Sequence, residues 1–272
     1  MVKKGERYME YLRLYLKMQK ANIRSRMAYP FNFFLGIICV TCFGIFSTLF
    51  IWVLTRNFPS IAGWNFYEIL FISSFNMLSY SLGLLLFIHI MDIDHYVRNA
   101  EFDRILVRPM NALLQFASKQ ININSLGTVI YAVSALIYAG VHISGWSAVS
   151  ILYTVLLIIC GTIVSISIHL IIGSTAFITL QSGGLFQMLD NIYTNVDNYP
   201  VTIFPKWVQF FLTFILPIGF IGFYPSAGLL GKGSYLLNNN LILICLAVSL
   251  ILSILSYIIW HVSIKFYSGA GS

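Results

Sequence analysis

Long uncharged stretches separated by short polar ones set the pattern of this chain. Residues 30–55 hold no Asp, Glu, Lys or Arg in 26 positions, enough for a helix to cross about 30 Å of hydrocarbon. A short segment, 56–64, with Pro59 and Gly63 as breakers, reads as an outer loop. Apolar residues return over 66–90, with Glu68 near the start at the interface, and a hydrophilic stretch, 91–119, follows. Lys119 and Asp190 then bracket 70 residues without a charge. No single helix of that length fits a bilayer, and the break at Ser144-Gly145-Trp146 divides it into a third span, 121–143, and a fourth, 147–172. The last run, 241–264, is uncharged apart from His261 and meets Lys265 at its inner edge.

The segment 173–235 admits two arrangements. Residues 174–196 carry Gln181, Gln187, Asp190 and Asn191, which makes them weakly apolar for a span. Residues 207–224 are more apolar but are interrupted around Pro205, Pro217 and Pro225. Either 174–196 crosses and 200–232 dips in and out of the outer leaflet, or 207–224 crosses and 174–196 lies elsewhere. Both give six crossings.

Ahead of the first span, residues 6–26 form a segment of their own. Glu10, Arg13, Lys17, Lys20 and Arg24 fall on one helical face, and Tyr8, Leu12, Tyr15 and Leu16 on the other. A basic amphipathic helix with an aromatic apolar side is expected to lie in the membrane interface, aided by anionic inner-leaflet lipids. The chain therefore divides into a cytoplasmic interfacial part, 1–29, and a transmembrane part, 30–272. The first apolar run begins only after a strongly charged stretch and is too long for a signal-peptide core, so it is expected to be a permanent span.

Composition agrees. The 272 residues are 58% hydrophobic and 9% charged, with a mean hydropathy of +0.83, whereas soluble chains carry about 25% charged residues. So few charges cannot cover a water-facing surface. The formal charge of +7 would suggest nucleic-acid binding in a soluble protein, but the distribution decides otherwise. Eight of the sixteen Lys and Arg lie in 1–26, and Arg98, Arg104, Arg108 and Lys119 fall in 91–119. By the positive-inside rule both clusters, and both termini, belong on the cytoplasmic side, with Arg56, Lys206 and Lys232 outside or interfacial. The expected location is the cytoplasmic membrane, with lipid and not nucleic acid as the surroundings. Cys39, Cys42, Cys160 and Cys245 sit in apolar runs and suggest packing, not a zinc or redox site. His142, His169 and His261 lie close to span ends, where an interfacial role is expected.

The 91–119 stretch carries the most information. Arg98, Glu101, Arg104 and Arg108 are spaced three or four apart, so ion pairs along one helical face are expected. Phe102, Ile105 and Leu106 form an apolar patch on another side, and Pro109 stops the helix. An exposed patch of this kind between two spans suits a docking surface for another protein.

The run Val97-Arg98-Asn99-Ala100-Glu101-Phe102-Asp103-Arg104-Ile105-Leu106-Val107-Arg108-Pro109 resembles the VR-x-G-x-hydrophobic-D-x-x-L-x-R-P signature of the type-2 (ABC-2) class of ABC exporter permeases, with Ala100 in place of the usual Gly. Tyr199-Pro200, Pro205-Lys206-Trp207, Pro217 and Tyr224-Pro225 are also similar to that class's segment before the last span. The resemblance implies an all-α integral membrane fold, with an interfacial helix, six transmembrane helices and an extracellular re-entrant helical hairpin over 200–232. It favours 174–196 as the fifth span. It also implies partners: a dimer of separate ATPase subunits that bind ATP and Mg, and a second permease chain, identical or a sister. The chain itself would bind no cofactor and no metal.

By the same resemblance, Arg98, Glu101, Asp103, Arg104, Arg108 and Pro109 would be the ATPase-coupling residues, with Phe102 and Leu106 as apolar anchors. Polar groups within a span suggest a second site: Gln181, Gln187, Asp190 and Asn191 would face the substrate pathway or the second permease, Asp190 being the one acid among them, or else Asp190 sits solvated near the outer interface. Gly228 to Gly233 lacks the spacing of a phosphate loop. The alternative is an ATP-independent secondary transporter, which would show ionisable residues at mid-membrane and internal repeats. A membrane-embedded enzyme lacks any acid/base or metal-ligand cluster.

Overall fold

The computed structural model describes residue 20 and residues 30–58, 60–108, 111–117, 119, 122–232 and 240–267. The interfacial helix expected over 6–26 lies outside the described residues except for Lys20. Among the described residues the chain is helical without a sheet; its one β-type pairing is an isolated bridge between Ile61 and Trp64. Five helical stretches are long and apolar enough to cross a membrane: Phe33–Asn57, Phe66–Arg98, Ser125–His142, Ala148–Thr179 and Leu241–Ile264. They coincide with the five runs expected from hydropathy, and the chain is a multi-pass membrane protein.

The central element is α2 (Phe66–Phe87), which packs on α1 (Pro30–Asn57) and on two later helices. Its start is written locally: Asn65 accepts the Glu68 amide at 3.0 Å and Glu68 accepts the Asn65 amide at 2.8 Å, a complete capping box. Past Phe87 the chain tightens into a 3-10 turn (Ile88–Asp92) and continues as α3 (Ile93–Arg98). Two short helices follow, α4 (Asp103–Leu106) and α5 (Ala112–Ala117). The next spans are α6 (Ser125–His142) and α7 (Ala148–Ser174). Gly145, with φ +98°, supplies the left-handed turn between them, and the Ser147 hydroxyl caps α7 through the Ser150 amide.

The segment 174–196 is not one helix. After α8 (Ala176–Thr179), Leu180 takes φ 60°, and α9 (Gly183–Val196) starts anew. At about 1.5 Å per residue its 14 residues reach only about 21 Å. Its partners nevertheless follow α2 from one end to the other. Gly183 lies against Asp94, Asp190 and Tyr193 against Tyr80, and Asp197 bonds Asn76. Asn198 then accepts the Ser73 hydroxyl, and Thr202 the Trp64 indole N–H. A half-length helix and the unwound residues after it thus run antiparallel to the whole of α2.

Residues 200–232 enter and leave the bundle at the same end. A 3-10 turn (Val201–Ile203) leads to α10 (Lys206–Phe210), which widens into a π turn at Phe211–Ile215. The return arm is a 3-10 turn (Ile218–Phe220) followed by α11 (Phe223–Leu229). Pro205 precedes α10, Pro217 precedes the second 3-10 turn, and Pro225 occupies the first turn of α11, positions where a missing amide costs little. The tip reaches Asn76, about 15 Å into α2 from Phe66. A Cβ on Gly222 would stand 2.4 Å from the Asn76 Cβ, and one on Gly161 of α7 would stand 2.3 Å from the Ile221 carbonyl. No side chain fits at either contact. Lys232 then closes the segment with its ammonium 2.6 Å from Glu68 and 2.9 Å from the Gly63 carbonyl. Last comes α12 (Leu241–Ile264), packed on α7. The apolar outward sides of α1 and α12, among them Phe34, Ile38, Phe46, Leu250 and Ile254, are exposed and suited to lipid.

Candidate coupling surface and polar helix face

The 88–117 segment caps the end of the bundle opposite the hairpin. The single helix expected through Arg98, Glu101, Arg104 and Arg108 is interrupted after Arg98. Ala100 takes φ 55°, and the Phe102 amide bonds back to the Tyr96 carbonyl at 3.1 Å. The position where the family signature has glycine is therefore one that needs left-handed backbone. Arg98 pairs with Asp94 of its own helix at 3.6 Å, so the continuous ladder of charges does not form.

The turn drives Phe102 inward. Its side chain is 0% exposed, with ring centroids 4.8 Å from Phe177, 5.6 Å from Tyr267, 6.1 Å from Phe116 and 6.2 Å from Trp260. Those rings come from α8, the chain after α12, α5 and α12. Ile105 is buried in the same cluster, and its carbonyl accepts the Gln115 amide at 3.2 Å. Asn111 starts α5 by accepting the amides of Leu113 and Leu114. The expectation of an exposed Phe-Ile-Leu patch is thus corrected: Phe102 and Ile105 fasten the segment to the spans, because two large apolar groups gain more inside this aromatic cluster than in water.

What remains outside is compact. Leu106 is 42% and Val107 85% exposed, and Arg98, Asp103, Arg104 and Arg108 are exposed beside them, with Glu101 half-buried. Pro109 lies outside the described residues. Lys119 covers the Tyr96 ring at 3.8 Å. Burial pushes its ammonium pKa down, while the Glu101 charge opposes that shift. The Tyr267 hydroxyl, partly buried beside Asp103, is pushed up to about 12.

A second polar feature lies within the spans. On α9, Phe186, Leu189, Tyr193 and Val196 face inward, and Gln187, Asp190, Asn191, Thr194 and Asn195 are exposed. The structure brings Gln187, Asp190 and Asn191 onto one face. Gln181 does not join them; it sits in the Leu180 turn, where its carbonyl accepts the Thr179 hydroxyl. Asp190 accepts the Tyr80 hydroxyl at 2.6 Å, and Tyr80 stacks on Tyr193 at 3.7 Å. His169 stands 3.5 Å from the same hydroxyl and is 4% exposed. It is therefore internal, not interfacial as expected; His142, stacked on Tyr67 at 4.5 Å, and His261 remain exposed at helix ends. Asp197, 8% exposed, accepts the Asn76 amide at 2.9 Å.

This ladder of Asn76 and Tyr80 against Asp190, Tyr193 and Asp197, which Ser73 extends to Asn198, is not anticipated from the sequence. Its signal was present: 73, 76 and 80, and likewise 190, 193 and 197, recur at intervals of three and four residues, one helical face each. Among the described residues no group of His, Cys, Asp and Glu is placed to hold a metal.

Comparison with known proteins gives one assignment. A family model described as "ABC-2 family transporter protein" matches residues 41–271. No curated protein and no solved structure matches the chain. The matched residues take in the five apolar spans from Thr41 onward, the 88–117 cap, α9 and the hairpin, and on that basis the chain belongs to the ABC-2 transporter family.

Proposed function

We propose that this chain is the permease subunit of an ATP-driven exporter, with six crossings and both termini in the cytoplasm. ATP and Mg bind to a separate dimer of ATPase subunits, and a second permease chain, identical or a sister, completes the translocation route. The fifth crossing is α9 with the unwound residues up to Thr202, and 200–232 is re-entrant from the outer side. The cargo is an amphiphile of the drug, antibiotic, peptide or lipid kind.

The observation that carries this reading is the 98–108 surface. Its charged residues and Leu106 and Val107 stand outward on a buried aromatic cluster that reaches α8 and α12. A partner pressing on Arg104 or Arg108 would move Phe102, and Phe102 bears on Phe177, three residues before the Leu180 break that leads into α9. Clustered Lys and Arg support a cytoplasmic position for this end. The exposed polar face of α9, costly against lipid, supports its facing the route or the second permease.

Co-purification with an ATPase subunit and ATP-dependent export are expected from the intact complex. Arg104→Glu with Arg108→Glu is expected to abolish both. Unchanged assembly and export in that double variant would overturn the coupling assignment. The secondary-transporter reading draws on one observation, the contact of exposed Asp190 with buried Tyr80 and, through it, His169. Transport that stops when a protonophore collapses the proton gradient while ATP persists would favour it.

A further inference from the structure

Resting on the reading of α9 as route-lining, we propose that Asp190 is a binding group for the cationic head of the cargo, so that the transported class is cationic amphiphiles. Asp190 is the only charged residue on α9, and it lies on the exposed face between Gln187 and Asn191, Thr194 and Asn195. One carboxylate oxygen accepts the Tyr80 hydroxyl. Tyr80 is itself buried and clamped face to face on Tyr193, so the carboxylate is held in one place. Among the described residues no hydrogen bond engages the second oxygen, and no Lys or Arg pairs with the group.

Tyr80 lies fourteen residues into α2, about 21 Å from Phe66 at 1.5 Å per residue, well inside the bilayer. An ionised group within the bilayer is costly unless a cation or water compensates it. The chain supplies water-like partners in the neutral amides and hydroxyls of this face, and leaves the cation to be brought by the cargo. The same helix also exposes Leu185 and Met188, around its axis from Asp190 and past the polar face. Met is unbranched and adaptable, suited to apolar bodies of varied shape. A helix that exposes one carboxylate on its polar face and apolar side chains farther round matches a ligand with one positive charge and a large apolar part.

The test uses two probes of nearly the same shape and opposite charge, tetraphenylphosphonium and tetraphenylborate. Equilibrium binding is measured on the purified permease–ATPase complex. Tetraphenylphosphonium is expected to bind the wild type more tightly than tetraphenylborate. Asp190→Asn, which keeps an acceptor for Tyr80, is expected to weaken the phosphonium at least about tenfold, near 1.4 kcal/mol, without weakening the borate. Asp190→Glu is expected to stay within about threefold of the wild type, a difference near 0.65 kcal/mol. Asn191→Trp, which adds bulk and no charge to the same face, is expected to weaken both probes. Wild-type protein that shows no preference for the phosphonium, or Asp190→Asn that binds it unchanged, overturns the proposal. If Asn191→Trp still blocks both probes in that case, α9 lines the route and only the charge selection fails. If neither substitution alters either probe, the assignment of α9 to the route falls as well.

Discussion

Replacing Phe102 by Ala separates two roles that one side chain in a docking motif could have. Phe102 is fully buried, and four rings surround it at centroid distances of 4.8–6.2 Å. Truncating a buried Phe costs about 3–5 kcal/mol, from lost transfer energy and from the cavity left behind. The upper half of that range applies here, because edge-to-face ring contacts add about 0.5–1.5 kcal/mol each beyond area. By the scaling for chains of 150–250 residues, about 2–4 °C per kcal/mol, the melting temperature of the isolated permease should fall by about 8–20 °C. Leu106→Ala removes an exposed side chain and should change that temperature by only about 1–2 °C, the effect of roughly 0.5 kcal/mol. The assay is a thermal melt of each purified permease alone, followed by titration with the ATPase subunit. Phe102→Ala is expected to lose melting temperature first and ATPase affinity as a consequence; Leu106→Ala is expected to lose affinity only. A Phe102→Ala permease that melts like the wild type yet no longer binds the ATPase would refute the burial argument and return Phe102 to the docking surface.

Other expectations concern single contacts. Ala100→Gly should raise stability by about 1 kcal/mol, since the residue sits at φ 55° where a Cβ costs about 1–2 kcal/mol and glycine gives back part of that in unfolded-chain entropy; a lowered melting temperature would contradict it. Gly161→Ala should destabilise the permease by about 1–3 kcal/mol, because its Cβ would meet the Ile221 carbonyl and push the hairpin tip away. Increased cysteine labelling of the tip at Ile221→Cys in that background would report the displacement. Lys232→Met should cost about 1 kcal/mol or less, the usual value of a part-exposed ion pair. Glu68→Ala should cost more, since it also removes half of a capping box; equal melts for the two variants would count against a capping role.

Hydropathy and charge placement determined the class of protein, five of its apolar helices and the location of its informative segment. Those properties follow from the solvent: a helix facing lipid must be apolar along its length, and that requirement is visible in one dimension. The Asn65–Glu68 capping box and the turn at Gly145 are equally local. Only tertiary packing decided the rest. Phe102 and Leu106 are both apolar residues of one motif. The left-handed turn at Ala100 and the rings from α5, α8 and α12 bury the first and leave the second outside. The segment 174–196 reads as a poor span because its helix is short and half polar. Together with the residues after it up to Thr202 it runs the length of α2 nonetheless, because Ser73, Asn76 and Tyr80 satisfy Asn198, Asp197 and Asp190 at matching heights. Pairings between residues more than a hundred positions apart leave no trace in local hydropathy, since each polar group is costly in lipid alone and acceptable only against its partner.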